Sequence, residues 1–346
     1  MSVTAGTRPR PPIDAMVMGA GVIGLTTAVL LAEQGSTIEI IARERRMATT
    51  SAAACAVWLP LFVAEDERLS LEGVDMMDEW QRDSYLTFEE LSGQVHYGVR
   101  ETRLHRIGRR EADRPRVPAE MVGLTESVVV DPSGASCTAW SMRSFVIDMP
   151  RYLEALEARL VACGHVTFRE EDVQELSDVA ASAAGRVVFN CSGLGAREVC
   201  PDPALTPVKG VLLFHERNGF EPVVSYDSYV VAERAGSLVL GALSDAAYDT
   251  EDVTPEELER LLAFHSGWGD WDLTPLGLVP PSIHRDRVCE AIAGLRPVRR
   301  GGVRLDVERV GETLFVHNYG HGGAGVTLSW GTARHAVSLA ECELAR

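Results

Sequence analysis

The chain has 346 residues, enough for about two domains, and its 46% hydrophobic and 24% charged content is that of a globular protein with sizeable cores. A formal net charge of −17 excludes nucleic acid or an anionic membrane surface as the main partner, because phosphate recognition needs clustered Lys and Arg. Seven cysteines, odd in number and never spaced CxxC, argue against a disulfide framework or a structural zinc site and for reduced thiols in a cytoplasmic protein.

The first residues, MSVTAGTRPRPP, lack a signal-peptide core and read as a loose tail. From Ala15 to Ala32 there are eighteen residues without a charge, close to the length of a membrane span. Glycines interrupt the run, so a buried strand (Ala15 to Met18), a turn and a helix (about Val22 to Glu33) explain it better. Gly35 stops the helix, and a second strand runs from Thr37 to Ala42. Gly19, Gly21 and Gly24 form GxGxxG between strand and helix. The first permits a tight turn, the second lets backbone approach a pyrophosphate and the third allows close helix–strand packing. Amides and dipole at the helix N-terminus then favour the anion. Glu44 lies twenty residues after Gly24, where a carboxylate accepts hydrogen bonds from a ribose. Arg43 before it would equally suit a 2′-phosphate or cover an adenine.

The segment RRMATTSAAACAVWLP (Arg45 to Pro60) offers hydroxyls at Thr49, Thr50 and Ser51, then small residues that let backbone approach a flat ring. The acidic runs Glu65-Asp66-Glu67 and Glu170-Glu171-Asp172 read as solvated faces. Met149 to Cys163 is apolar at helical spacing, and VVFNCSGLGA from Val187 reads as a buried strand entering a small-residue turn. SYDSYVVAERAGSLVLGAL is expected to form a hairpin, with a strand from Tyr226, a turn at AERAGS and a return to Leu243. In GLRPVR, Pro297 disfavours helix for Arg296. The guanidinium is then either a fork for a carboxylate or one half of a structural ion pair. HNYGHGGAGVTLSWG, from His317, reads as a strand, a glycine turn and a helix start. His317 and His321 are four apart, but the glycines between them and the lack of other ligands argue against a metal.

Five of these pieces, MGAGVIGLTTA, ATTSAAACAVWLP, VVFNCSGLGA, GLRPVR and HNYGHGGAGVTLSWG, occur in an order and spacing that resembles the D-amino-acid oxidase family of FAD enzymes, from about Ile13 to Ala340. The resemblance implies an α/β fold: a Rossmann-type, glutathione-reductase-like FAD-binding domain beside a mixed, mostly antiparallel substrate domain. It implies FAD as cofactor and no metal. The pyrophosphate would lie on Gly19, Ala20, Gly21, Val22, Ile23 and Gly24, and the adenosine on Arg43, Glu44 and Val173. Here the family's usual order of acid then arginine is reversed. Thr49, Thr50, Ser51, Cys55, Ala56, Val57 and Trp58 would run beside phosphates and flavin. Ser192, Gly193, Gly322, Gly325, Val326 and Thr327 would complete the cofactor site, the last two near the flavin pyrimidine. Arg296 would grip the substrate carboxylate with Tyr229 and, as a substitute for a second family tyrosine, Tyr226. The Gly323 carbonyl would meet the amine.

The activity implied is oxidative deamination of D-amino acids, with oxygen as acceptor and hydrogen peroxide as product. Rival expectations are a flavin oxidase of glycine, N-methyl or pathway-specific amino acids, a dehydrogenase using another acceptor, and a non-catalytic dinucleotide sensor. Arg217 and Arg234 are candidates for favouring an acidic side chain such as D-aspartate. Residues 1–57, 140–200 and 286–346 are expected to build the FAD-binding domain, and 58–139 with 201–285 the substrate-binding domain. A homodimer is compatible with this reading, and the terminal ELAR lacks a peroxisomal address, which favours the cytoplasm.

Overall fold

In this computed structural model, residues 12–60, 71–245 and 250–346 are described. The expected N-terminal tail, up to residue 11, and the acidic run Glu65-Asp66-Glu67 lie outside them. The first part of the chain forms β1 (Ala15–Ala20), α1 (Val22–Glu33), β2 (Ile38–Arg45), α2 (Leu71–Ser92), β3 (Val99–Gly108), α3 (Ala119–Val122), β4 (Thr125–Val130) and β5 (Ser136–Ile147). The middle forms α4 (Met149–Ala162), β6 (Val166–Glu170), α5 (Leu176–Ala183), β7 (Val187–Asn190), α6 (Ala196–Val199) and β8 (Leu205–Glu216). The last part forms β9 (Val223–Tyr226), β10 (Tyr229–Arg234), β11 (Ser237–Gly241), α7 (Pro255–Ser266), β12 (Val288–Arg299), β13 (Arg304–Val310), β14 (Thr313–Tyr319) and α8 (Gly325–Leu344).

The strands make a six-stranded sheet, β13-β14-β7-β1-β2-β6, and an eight-stranded sheet, β12-β8-β11-β10-β9-β3-β5-β4. In the first, β14, β7, β1, β2 and β6 run parallel and β13 is antiparallel at the edge. β1 is apolar without alternation because both its faces are covered. The same burial explains the charge-free stretch: α1 packs between the sheet, α4 and α8, so Leu25, Ala28, Leu31 and Ala32 are all buried. Among the described residues no helix is long and apolar enough to cross a membrane.

The second sheet is antiparallel except where β3 meets β9. One face is covered by α7, with Leu261, Trp268 and Trp271 in a core with Val231 and Leu240. The expected hairpin is tighter than its sequence suggested: β10 and β11 turn at Ala235–Gly236, both with positive φ, and β11 ends at Gly241. The expected domain boundaries at 140 and 286 do not coincide with the change of sheet. β5 begins before 140 and β12 lies after 286, and both hydrogen-bond in the larger sheet.

Several buried histidines are held neutral. His265 Nδ1 accepts from Trp268 Nε1 at 3.2 Å, so its Nε2 donates to the Gly241 carbonyl at 3.1 Å and no site remains for a second proton. Burial pushes its pKa down to about 3, and likewise His321 to about 3 and His105 to about 4. These folded values lie below the unfolded one, so the unfolded chain binds more protons between them. Stability is complete above about pH 6.5 and is lost as pH falls from there toward 4 and 3, at roughly 1.4 kcal/mol per pH unit for each such histidine. Urea unfolding at pH 5.5 should therefore give a clearly lower midpoint than at pH 7.5, and His265→Asn should reduce that difference.

Candidate cofactor and substrate site

A cavity of about 920 Å³ runs between the carboxyl ends of the parallel strands and the larger sheet. Its floor is the glycine turn after β1. Gly19 has φ +101°, and a Cβ there would lie 2.9 Å from the Cys191 carbonyl carbon. A Cβ at Gly24 would fall on the Gly19 carbonyl oxygen, well inside van der Waals contact, so this glycine acts by packing and does not line the cavity. Ala20, Gly21, Val22 and Ile23 do line it. The Ser51 hydroxyl accepts from the Val22 amide at 2.9 Å, which ties the hydroxyl-rich loop to the N-terminus of α1.

At one end lie Arg43, Glu44 and Val173, together with Glu171, Asp172 and Glu198. Arg43 is within 3.5–3.6 Å of Glu44, Asp172 and Glu198. One guanidinium among four carboxylates leaves this end net negative, which disfavours a 2′-phosphate. Along the middle run Thr49, Thr50, Ser51, Cys55, Ala56 and Val57, facing Ser192 and Gly193. Burial pushes the Cys55 thiol up to about 11, so it is neutral. Gly322, Gly323, Gly325, Val326 and Thr327 close the far side at the N-terminus of α8. The Thr327 hydroxyl donates to the Leu59 carbonyl at 3.2 Å and accepts from its amide at 3.3 Å, joining that helix to the loop.

Arg296 stands at the other end, on β12. Its Nη1 donates to the Leu243 carbonyl at 3.1 Å, the Ser244 hydroxyl at 3.2 Å and the Lys209 carbonyl at 3.4 Å. Nε and Nη2 have no protein partner among the described residues, and no carboxylate pairs with the side chain there. Burial lowers its pKa without an acid to offset it. The structural ion-pair reading is thereby set aside. The guanidinium lies over Gly210, where any Cβ would collide with it, and the Gly323 Cα position is close enough that a Cβ would sit 3.6 Å from Arg296 Cδ.

Besides Gly24, three expected site residues lie outside the cavity lining. Tyr229 and Tyr226 do not line the cavity. On β10 it is Val230 that faces it, so by strand alternation Tyr229 points the other way and stacks on Phe264 of α7, with centroids 3.4 Å apart. Tyr226 packs edge-on against Trp271 at 4.9 Å. Trp58 is fully buried on the side opposite Val57 and Leu59, donating from Nε1 to the Gln81 carbonyl at 3.2 Å and packing on Tyr85. Nor do the arginines proposed for an acidic side chain reach the cavity. Arg217 pairs with Glu221 at the surface, and Arg234 donates to the Ala54 carbonyl at 2.6 Å.

Residues not singled out from sequence also matter. Gly210 had a signal, a glycine inside a strand, which often marks a close approach. Ser244, Ser228, Val230 and Glu251 had none. Asn318, at the end of β14, is fully buried beside the cavity, and neither its amide donor nor its acceptor has a partner. Both ring nitrogens of His317 have protein partners: Nδ1 accepts from Asn190 at 3.1 Å and Nε2 faces Glu308 at 3.0 Å. His321 donates to the Thr332 hydroxyl at 3.1 Å, and no cluster suited to a metal occurs among the described residues.

The chain matches the family described as DAO, FAD dependent oxidoreductase, over residues 14–339. It is 34% identical to a D-amino-acid oxidase of Rubrobacter xylanophilus, covering 98% of this chain and 99% of that one. It is also 34% identical to one from Streptomyces coelicolor, covering 94% and 96%, and 27% identical to human D-aspartate oxidase, covering 94% of each. Among solved structures, Bacillus cereus glycine oxidase has the same fold, with a TM-score of 0.68 at 16% identity over 96% of this chain and 95% of that one. The site fits FAD: a Cβ-intolerant turn meets a helix N-terminus, a carboxylate stands at the adenosine end, and Asn318 is an orphaned amide. Gly24→Ala should leave the purified protein largely without bound flavin, read as the ratio of visible to 280 nm absorbance, whereas Gly267→Ala, at negative φ and in open space, should keep it.

Proposed function

From the premise that this chain belongs to the DAO family of FAD-dependent oxidoreductases, we propose that it is an oxidase that deaminates D-amino acids. The observation that carries the reading is Arg296, a guanidinium with one edge unpaired at the end of a dinucleotide-shaped cavity. A planar fork facing away from every protein carboxylate suits a small ligand's carboxylate. The D-amino-acid oxidases at 34% identity support that ligand class.

FAD, when bound, would supply the two-electron acceptor for the substrate's Cα–H, with oxygen as final oxidant and hydrogen peroxide as its product. The chain's own contribution is alignment. Arg296 holds the carboxylate through Nε and Nη2, and the Gly323 carbonyl accepts from the amine. Val230, Leu212 and the backbone at Gly210 exclude water around the reacting carbon. Fixing the substrate this way contributes through orientation, with no strong base required. At the opposite wall the N-terminus of α8, at Val326 and Thr327, favours negative charge beside it. The imino acid then hydrolyses in water to a 2-oxo acid and ammonia.

The smaller sheet, with the glycine turn and α8, is assigned the cofactor, and the larger sheet, with β5 and β12 included, the substrate. Free D-amino acid and oxygen are the partners assigned. Seven free cysteines support the cytoplasm, and a homodimer is proposed as the assembly. The assay is flavin reduction and peroxide release with a panel of D-amino acids, glycine, sarcosine and L-amino acids. Arg296→Ala should lower kcat/KM for D-alanine by about 10²–10³-fold, the scale of losing two charge-assisted hydrogen bonds. Tyr229→Phe should leave KM within about twofold, since a packing ring loses only a hydroxyl. Failure of every D-amino acid to reduce the flavin would overturn the reading.

A further inference from the structure

Lys209 is a charged residue on the face of the larger sheet that does not line the cavity. Along β8, Gly210 and Leu212 line the cavity, whereas Val211 and Leu213 belong to the core under α7. Strand alternation puts Lys209 on that second face, where it is 1% exposed. Its ammonium donates to Glu257 Oε2 at 2.9 Å and to the Asp252 carbonyl. Glu257 is also buried. Its Oε2 accepts from the Thr254 amide at 2.8 Å, while its Oε1 has no partner among the described residues. A buried ion pair is weak evidence of stabilisation, since apolar residues of similar volume commonly serve as well. Its place in the fold gives this one another use.

The Lys209 amide donates to the Asp245 carbonyl at 2.8 Å, and its own carbonyl accepts from the Asp245 amide at 3.1 Å. Main chain holds Asp245 and side chain holds Asp252, so two points of the connection between β11 and α7 are fastened to one residue. The far end of α7 fastens a third, where His265 Nε2 donates to the Gly241 carbonyl at 3.1 Å. Among the described residues, the partners of Arg296 Nη1 all lie here. They are the Leu243 carbonyl at 3.1 Å, the Ser244 hydroxyl at 3.2 Å and the Lys209 carbonyl at 3.4 Å. Each belongs to Lys209 or to one of the two residues before Asp245. The Lys209 carbonyl is shared between the Asp245 amide and Arg296, so displacing one displaces the other.

We infer, on the reading of Arg296 given above, that Lys209 is a positioning residue for binding of the substrate carboxylate. Its buried ammonium, held by Glu257 and Asp252, fixes the segment whose Leu243 carbonyl and Ser244 hydroxyl set the direction of the guanidinium. Lys209 touches no ligand and acts through the sheet from behind. Removing its ammonium frees the Asp252 carbonyl and leaves Glu257 with an uncompensated buried charge. The connection then shifts, and Arg296 keeps its charge but loses its set direction. The glycine turn after β1 belongs to the other sheet, so flavin stays bound.

The test uses the FAD-loaded protein and two readouts: the Kd of propionate from its perturbation of the flavin spectrum, which needs no turnover, and the KM of D-alanine. Lys209→Met should raise both about tenfold, the scale of one charge-assisted hydrogen bond misaligned, and Lys209→Arg should restore most of the loss. Lys209→Met combined with Glu257→Leu removes both buried charges and serves where the single variant does not fold. It should show the same weakened affinity, because the Asp252 carbonyl still lacks its donor. In an Arg296→Ala background, Lys209→Met should change kcat/KM by less than about twofold, since a residue that acts through Arg296 has nothing left to position. Wild-type propionate affinity in the folded Lys209 variants, or an undiminished further loss in the Arg296→Ala background, overturns the inference. A wild type that binds propionate but is reduced by no D-amino acid overturns the proposed activity and leaves Lys209 in its role. A wild type that binds no propionate overturns both.

Discussion

The Gly24 Cα and the Gly19 carbonyl oxygen approach so closely that no side chain fits between them, and this contact sets how tightly α1 lies on β1. From it follows the position of the first turn of α1 at the cavity floor. Ser51 can reach the Val22 amide only because that turn is pressed down. The loop from Thr49 to Val57 is thereby drawn across the strand ends, and with it the wall that separates cavity from core. A methyl group at Gly24 would lift the helix and with it the loop, so a local steric constraint governs a site that spans both sheets.

A second helix end depends on the first. α8 packs against α1, with the Thr26 hydroxyl 3.3 Å from the Ser329 carbonyl, and against α2, where Gly331 lies directly on the Trp80 backbone. The N-termini of α1 and α8 therefore open on one cavity. Neither has an acidic residue in its first turn, whereas α7, remote from the cofactor turn, carries Glu256 and Glu257 there. Acids in that position normally complement the helix dipole. Leaving them out keeps two positive helix ends for a ligand that carries negative charge in two places, a pyrophosphate and a ring that is reduced.

The features legible from sequence are those whose meaning is local. GxGxxG, its strand and its helix occupy one continuous stretch, and the glycine spacing carries its own steric reason. The extended setting of Arg296 likewise follows from the proline after it. Tyr229 and Trp58 were misplaced because each is decided by face, and face is decided by pairing. β10 takes its register from β11, which takes its own from β8, so a shift of one residue exchanges Tyr229 for Val230. Nothing near Tyr229 in the sequence encodes that. Ser244 and Glu251 line the cavity next to Asp245 and Asp252, whose main chain is bonded by Lys209, some forty residues earlier. Such relations arise only from the fold.

The charges around Arg296 show where the fold leaves an interaction open. Arg299, three residues on, pairs with Asp202 at 2.7 Å, and Lys209, across the strand pair, pairs with Glu257. Both of these cations have a carboxylate, as desolvation demands. Arg296, among the described residues, has only carbonyls and a hydroxyl as partners, all on one nitrogen. Two carbonyls offset part of the desolvation cost without consuming the charge, and they fix the plane of the guanidinium. Its remaining edge keeps both an unmet electrostatic demand and a set direction. A carboxylate placed there would gain more than it would at a solvated arginine.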